Sequence, residues 1–138
     1  MKSKFILLFT IFLLSITSNV SADYSSGLSA YKQGNYLKAL AEWFPLAEQG
    51  IPQAQYNLAG MYTKGYGVKI DDEKAIFWYT KAAEQGHSRS QYNLGVMHLI
   101  GTGTNKSIKY AKYWLHLAYD SGIEEAEDVW KQNNLWNY

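Results

Sequence analysis

The chain has 138 residues, 47% hydrophobic and 16% aromatic, with Gly 11, Pro 2, no Cys and a formal charge of +1. That length suits one domain, and the lack of Cys excludes a disulfide scaffold, a thiolate zinc site, a Cys nucleophile and a lipidated N-terminal Cys. A near-neutral charge gives no electrostatic reason to expect nucleic acid, and 12 Tyr with 5 Trp do not make a disordered composition.

Lys2 and Lys4 form a short basic start, and residues 5–16 are apolar apart from Thr10 and Ser15. Val20-Ser21-Ala22 then places small residues for cleavage before Asp23. This is the pattern of a secretory signal peptide over residues 1–22. The apolar run is shorter than the roughly 20 residues a spanning helix needs, so no stable membrane insertion is expected after cleavage. Loss of Lys2 and Lys4 turns the net charge slightly negative. The expected location is periplasmic or secreted, and a bacterial periplasm permits disulfides without requiring them.

The rest of the chain repeats with a period of 36. Ala47-Glu48-Gln49-Gly50 recurs as Ala83-Glu84-Gln85-Gly86, and Gln55-Tyr56-Asn57-Leu58 recurs as Gln91-Tyr92-Asn93-Leu94. A partial third copy keeps Ala111, Trp114, Ala118 and Gly122. Residues 23–34 read as a half-repeat, 35–70 and 71–106 as full repeats, and 107–138 as a partial one.

Within a repeat, Ala75, Trp78, Tyr79, Ala82 and Ala83 follow the i, i+3, i+4, i+7, i+8 spacing of one helical stripe. Gly86 ends that helix, and Gly50 and Gly122 hold its position in the neighbouring copies. Asn35, Asp71 and Ser107 are placed to cap the first helices. A second helix is expected from about Ser88 to Leu99, with Gly101-Thr102-Gly103 ending it. A last helix is expected from Glu124 to about Gln132. The fold class is all-α: a stack of about six or seven antiparallel helices without strands. Ala75, Trp78 and Trp114, with the three Gly residues, are assigned to structure.

Chemical motifs are sparse. Ser29-Ala30-Tyr31-Lys32 has the S-x-x-K spacing of penicillin-binding enzymes, but the accompanying S-D-N and K-T-G elements are absent. His87, His98 and His116 include no i, i+4 pair, so no metal or other cofactor is expected. His87 is expected to be solvated in a turn and His98 to pack at the position of Tyr62. The two Gly-x-Gly loops recur with the repeat and lack the flanks of a phosphate loop.

Opposite the Ala/Trp/Tyr stripe, Phe44, Phe77, Tyr113 and His116 fall on neighbouring columns of the first helices. Large aromatics on such a face are favoured as interface anchors, and these four form the candidate partner-binding set. Asp120, Glu124, Glu125, Glu127 and Asp128 gather acidic charge near the last helix. This segment is either a solvated face or a docking patch for a basic partner.

The repeat resembles the Sel-one-like repeat (SLR) family, a relative of the tetratricopeptide repeats. The resemblance is carried by Ala75, Trp78, Tyr79, Lys81-Ala82-Ala83-Glu84-Gln85-Gly86, Gln91, Leu94-Gly95, Gly101 and Gly103. The first copy departs from it with Glu42 and Trp43 at the Trp78 and Tyr79 positions. The resemblance implies a right-handed α-solenoid whose first helices line a concave surface, and a protein partner rather than a substrate. It implies a scaffold, a regulator of an envelope complex or, in some bacterial members, a periplasmic immunity protein that neutralises a secreted lipase-type toxin. Hydrolase or β-lactam-binding chemistry is the least supported reading.

Overall fold

A computed structural model describes residues 20, 21 and 23–137. The signal segment lies outside these apart from Val20 and Ser21, which are helical. Seven α-helices follow one another among the described residues, without a strand. They are α1 over residues 20–21 and 23–32, α2 Tyr36–Glu48, α3 Pro52–Lys64, α4 Asp72–Glu84, α5 Ser88–Ile100, α6 Ile108–Asp120 and α7 Glu125–Gln132. A 3-10 turn, Leu135–Asn137, closes the chain.

The caps recur at the repeat spacing. Asn35, Asp71 and Ser107 accept from the backbone N–H of Lys38, Lys74 and Tyr110 at 3.2, 2.9 and 3.3 Å. Each satisfies a donor that the first turn of a helix leaves free. Gly86 sits at φ +85, and the N–H groups behind Ala83 turn back onto the helix: Gly86 to Ala83 and His87 to Ala82. Gly50 and Gly122 have nearly the same φ.

The second glycine of each Gly-x-Gly loop answers to a different demand. Gly67 lies against the backbone of Tyr36, and Gly103 against that of Asp72, the first residues of α2 and α4. A Cβ on Gly103 would overlap the Asp72 carbonyl. The loop after each second helix is thereby seated on the start of the helix pair it closes.

Two glutamines join successive pairs. Gln55 and Gln91 are buried, and their side-chain amides donate to the carbonyls of Ala47 and Ala83 at 3.0 and 3.2 Å. Their oxygens accept from Gln85 Nε2 at 2.8 Å and Ser121 Oγ at 3.4 Å. A buried amide must have its partners or lose stability. Each of these finds one donor and one acceptor on neighbouring turns, which accounts for the spacing of the two Gln residues in the repeat.

The apolar stripe forms the core as its spacing requires. Ala75, Trp78, Tyr79, Ala82 and Ala83 are all buried. Trp114 is half-buried against the same core, while Trp43 is fully buried. Small residues set the closest approaches. Gly27 lays α1 on the Trp43 indole, and a Cβ on Gly95 would meet Leu115 at 2.7 Å.

Candidate protein-binding surfaces

All four candidate anchors are exposed rings leaning on a tryptophan, His116 edge-on to Trp130 at 6.3 Å. Phe44 and Phe77 are 37% and 51% exposed, and both pack edge-on to Trp78, with centroids 6.2 and 4.9 Å away. Tyr113 is 56% exposed and meets Trp114 edge-on at 4.8 Å. One side of each ring is thus fixed by the core and the other is open. The ammonium of Lys81 lies 5.0 Å over Phe77 and screens part of that ring.

The four residues do not form one patch. Trp78 links Phe44 and Phe77. Tyr113 instead lines a cleft of about 390 Å³ between α4 and α6, with Thr80, Glu84, His98, Lys109, Tyr110 and Trp114. His116 lines a second cleft at the end of α6, where its Nδ1 pairs with Asp120 Oδ2 at 2.9 Å. Sequence reasoning passed over Tyr110, which is exposed and lies one helical turn before Tyr113 on the same helix.

His98 does pack, half-buried, with its ring centroid 5.2 Å from Tyr110. Its Nδ1 is buried without a hydrogen-bond partner, and burial holds the imidazole below its ordinary range. His87 departs from the expected solvated turn. It is half-buried and caps α5, its Nδ1 accepting from the Ser90 N–H at 3.2 Å. The fully buried Ser90 hydroxyl lies 3.0 Å from the same nitrogen. Two donors on Nδ1 select the tautomer protonated at Nε2. Burial, with a smaller contribution from Arg89, lowers the pKa of this imidazole.

A third cleft, about 410 Å³, gathers α1, α3 and α5. Leu28, Tyr31, Trp43, Tyr56, Asn57, Gly60, Lys64, Tyr79 and Asn93 line it. Asn57 and Asn93 hold equivalent repeat positions and are committed to the fold. Asn57 Nδ2 donates to the Tyr24 hydroxyl at 3.2 Å, and Asn93 bonds the Tyr79 hydroxyl. Tyr79 is shifted up, chiefly by burial.

Ser29 and Lys32 show no catalytic arrangement. Both are exposed, and Ser29 Oγ accepts from Gln33 Nε2 at 3.1 Å. Among the described residues no group of three or more His, Asp or Glu side chains is placed to hold a metal ion. Nor is any described helix long and apolar enough to cross a membrane.

The Sel1 repeat profile matches residues 52–87 and 88–123, more than half of the chain. No curated protein matches it by sequence. Among solved structures, a Sel1 repeat protein from Oxalobacter formigenes is 35% identical, with a TM-score of 0.73 over 77% of this chain and 44% of that one. The c5321 protein, a protective antigen present in uropathogenic Escherichia coli strains and displaying an SLR fold, is 33% identical, with a TM-score of 0.73 over 78% of this chain and 24% of that one. Cysteine rich protein B of Helicobacter pylori is 25% identical, with a TM-score of 0.68 over 83% of this chain and 91% of that one. The chain spans less than half the length of the first two.

The family's frame changes one expectation. It begins each repeat at Pro52 or Ser88, so the first helices are α3 and α5. Phe44, Phe77, Tyr113 and His116 belong to α2, α4 and α6, the second helices in that frame. In that frame the first helices border the α1–α3–α5 cleft. A period read from identities alone fixes the spacing of repeats but not their phase. The Sel1 repeat fold supports a protein–protein interaction module, and two matched repeats with three SLR-type neighbours place this chain in the Sel1 repeat family.

Proposed function

We propose that the chain is an exported, non-enzymatic protein-binding module whose partner docks on the exposed rings of α4 and α6. The observation that carries this is the trio Phe77, Tyr110 and Tyr113, each more than half exposed while the core beneath is complete. Exposed aromatics held on rigid helices lose little conformational freedom on binding and supply most of an interface's energy. The signal-like segment supports export to the periplasm or beyond. Occlusion of a secreted toxin, lipase-type in the family resemblance, is the narrower form of this reading. A scaffold or regulator of an envelope complex is its alternative.

A second reading places the partner in the α1–α3–α5 cleft. It is favoured by the family frame, in which α3 and α5 begin the repeats and border this cleft.

Capture of periplasmic proteins on the tagged chain, followed by mass spectrometry, tests both. Replacement of Phe77 and Tyr113 by Ala should weaken capture of the identified partner by about 2 kcal/mol or more for each hot spot. Loss of capture in Lys64→Ala alone, an exposed residue on the cleft wall, would transfer the site to the cleft. A secreted lipase as the captured partner would support the immunity form, and an envelope protein would support the scaffold.

A further inference from the structure

At the end of the stack, α6, α7 and the 3-10 turn enclose an aromatic cleft of about 240 Å³. Its walls are Tyr119, Trp130 and Trp136, and its rim carries His116, Asp120 and Glu127. Trp136 is 64% exposed and Tyr119 about half, although both are large aromatics beside a finished core. Trp130 and Trp136 are inclined at 59°, with centroids 5.4 Å apart, so their faces are splayed.

Two carboxylates line this cleft and three more acids follow or precede them within nine positions. Asp120 and Glu127 line it, and Glu124, Glu125 and Asp128 stand beside it in sequence. The opposing groups are His116 on Asp120 at 2.9 Å, Lys131 on Glu127 at 2.9 Å, and Lys112. Lys131 is shifted up, first by its hydrogen bond to Glu127. Each of these pairs uses one carboxylate oxygen and leaves the other. Lys112 Nζ lies 5.4 Å over the Trp130 ring, so one cation already sits on this cluster. Trp136 and Tyr119 remain largely exposed.

We propose that this cleft receives an arginine side chain presented by the protein partner. The proposal rests on the protein-binding reading above and adds the partner's chemistry at a separate point of contact. Aromatic faces attract a cation through the ring quadrupole. A guanidinium suits this cleft better than an ammonium, because it stacks flat on indole while its N–H fork reaches carboxylate oxygens on the rim. Phe77 and Tyr113 lie outside this cleft, so the two sites can fail independently.

The test titrates the full chain with a short acetylated, amidated peptide carrying one arginine, read by tryptophan fluorescence and calorimetry. The same peptide with glutamate in place of arginine is the control. The arginine peptide should bind, bind more weakly at high salt, and lose about tenfold in affinity in Trp136→Ala. Asp120→Asn/Glu127→Gln should produce a similar loss without removing an aromatic ring, and this keeps the test decisive if Trp136→Ala misfolds. Phe77→Ala should leave peptide affinity unchanged, and a loss there would move the contact to the α4–α6 face. Equal binding of the glutamate peptide, insensitivity to both sets of substitutions, or saturable binding of phosphocholine vesicles in place of the peptide would overturn the proposal.

Discussion

At the N-terminal end of the stack, Trp43 stands where the next repeat has Tyr79. Tyr79 satisfies Asn93 with its hydroxyl, and Trp43 has no hydroxyl to offer Asn57. Tyr24 of α1 supplies one instead, and its carbonyl accepts the Trp43 indole N–H at 3.2 Å. At the C-terminal end the same columns hold Leu115 and Val129, and both belong to an apolar cluster completed by the buried Leu135. The glutamine column changes in parallel. Gln55 and Gln91 are buried and bonded to neighbouring turns, whereas Glu127 is only half-buried and pairs with Lys131. A repeat therefore keeps its polar partners only where a neighbouring unit can answer them. One end replaces the missing group from another helix, and the other end removes the need for it.

The largest expected effect breaks the N-terminal seal. Trp43 is packed by Gly27, Tyr24 and Tyr31. Trp43→Ala should cost about 3–5 kcal/mol in a denaturant titration. A loss below about 1 kcal/mol would mean that α1 does not close the stack through this ring.

The glycines sharpen the same distinction between joints and free turns. A Cβ at Gly86 meets nothing within 4 Å, so Gly86→Ala bears only the backbone cost of φ +85, about 1–2 kcal/mol. Gly103→Ala adds a collision with the Asp72 backbone to a similar φ, and should cost about 1–3 kcal/mol more. Equal melting of the two variants would show that the loop does not rest on α4.

A smaller contrast lies within the glutamine column. Gln91→Leu strands the Ala83 carbonyl and should cost about 1–3 kcal/mol. Glu127→Leu, at the equivalent half-buried position, loses a solvent-accessible ion pair and should cost no more than about 1 kcal/mol. Similar losses would erase the difference between inner and terminal units.

The smallest effect is acid sensitivity. His87 and His98 are held below the ordinary imidazole range by burial, so the folded state binds fewer protons than the unfolded chain as pH falls. Their contribution is complete above the unfolded value of about 6.5 and declines as pH drops through it toward the lower folded values. Melting temperature should therefore fall between neutral and mildly acidic pH. Replacing His87 by Asn, which keeps a capping acceptor, should flatten part of that slope.

The repeat was legible because its determinants are local. The caps at Asn35, Asp71 and Ser107, the C′ glycines and the helical stripe each follow from a few neighbouring residues. What stayed hidden depends on contacts between distant segments. Nothing near Trp43 in sequence indicates that Tyr24 would supply the hydroxyl for Asn57. His87 read as a turn residue because its capping role is set by the buried Ser90 ahead of it, a weaker signal than Asn, Asp or Ser at the same place. The exposure of Phe44, Phe77, Tyr113 and His116 follows from column position alone. That Tyr113 and His116 fall in separate clefts follows from how α4, α6 and α7 are set against one another.

Thermal melting of the Phe77→Ala/Tyr113→Ala variant tests most directly whether the α4–α6 rings are surplus to folding. The melting temperature should stay close to that of the parent chain, because each ring is at least half exposed above a core that is already filled. A destabilisation on the scale of about 3–5 kcal/mol for Phe77 alone would contradict this and return these rings to the core.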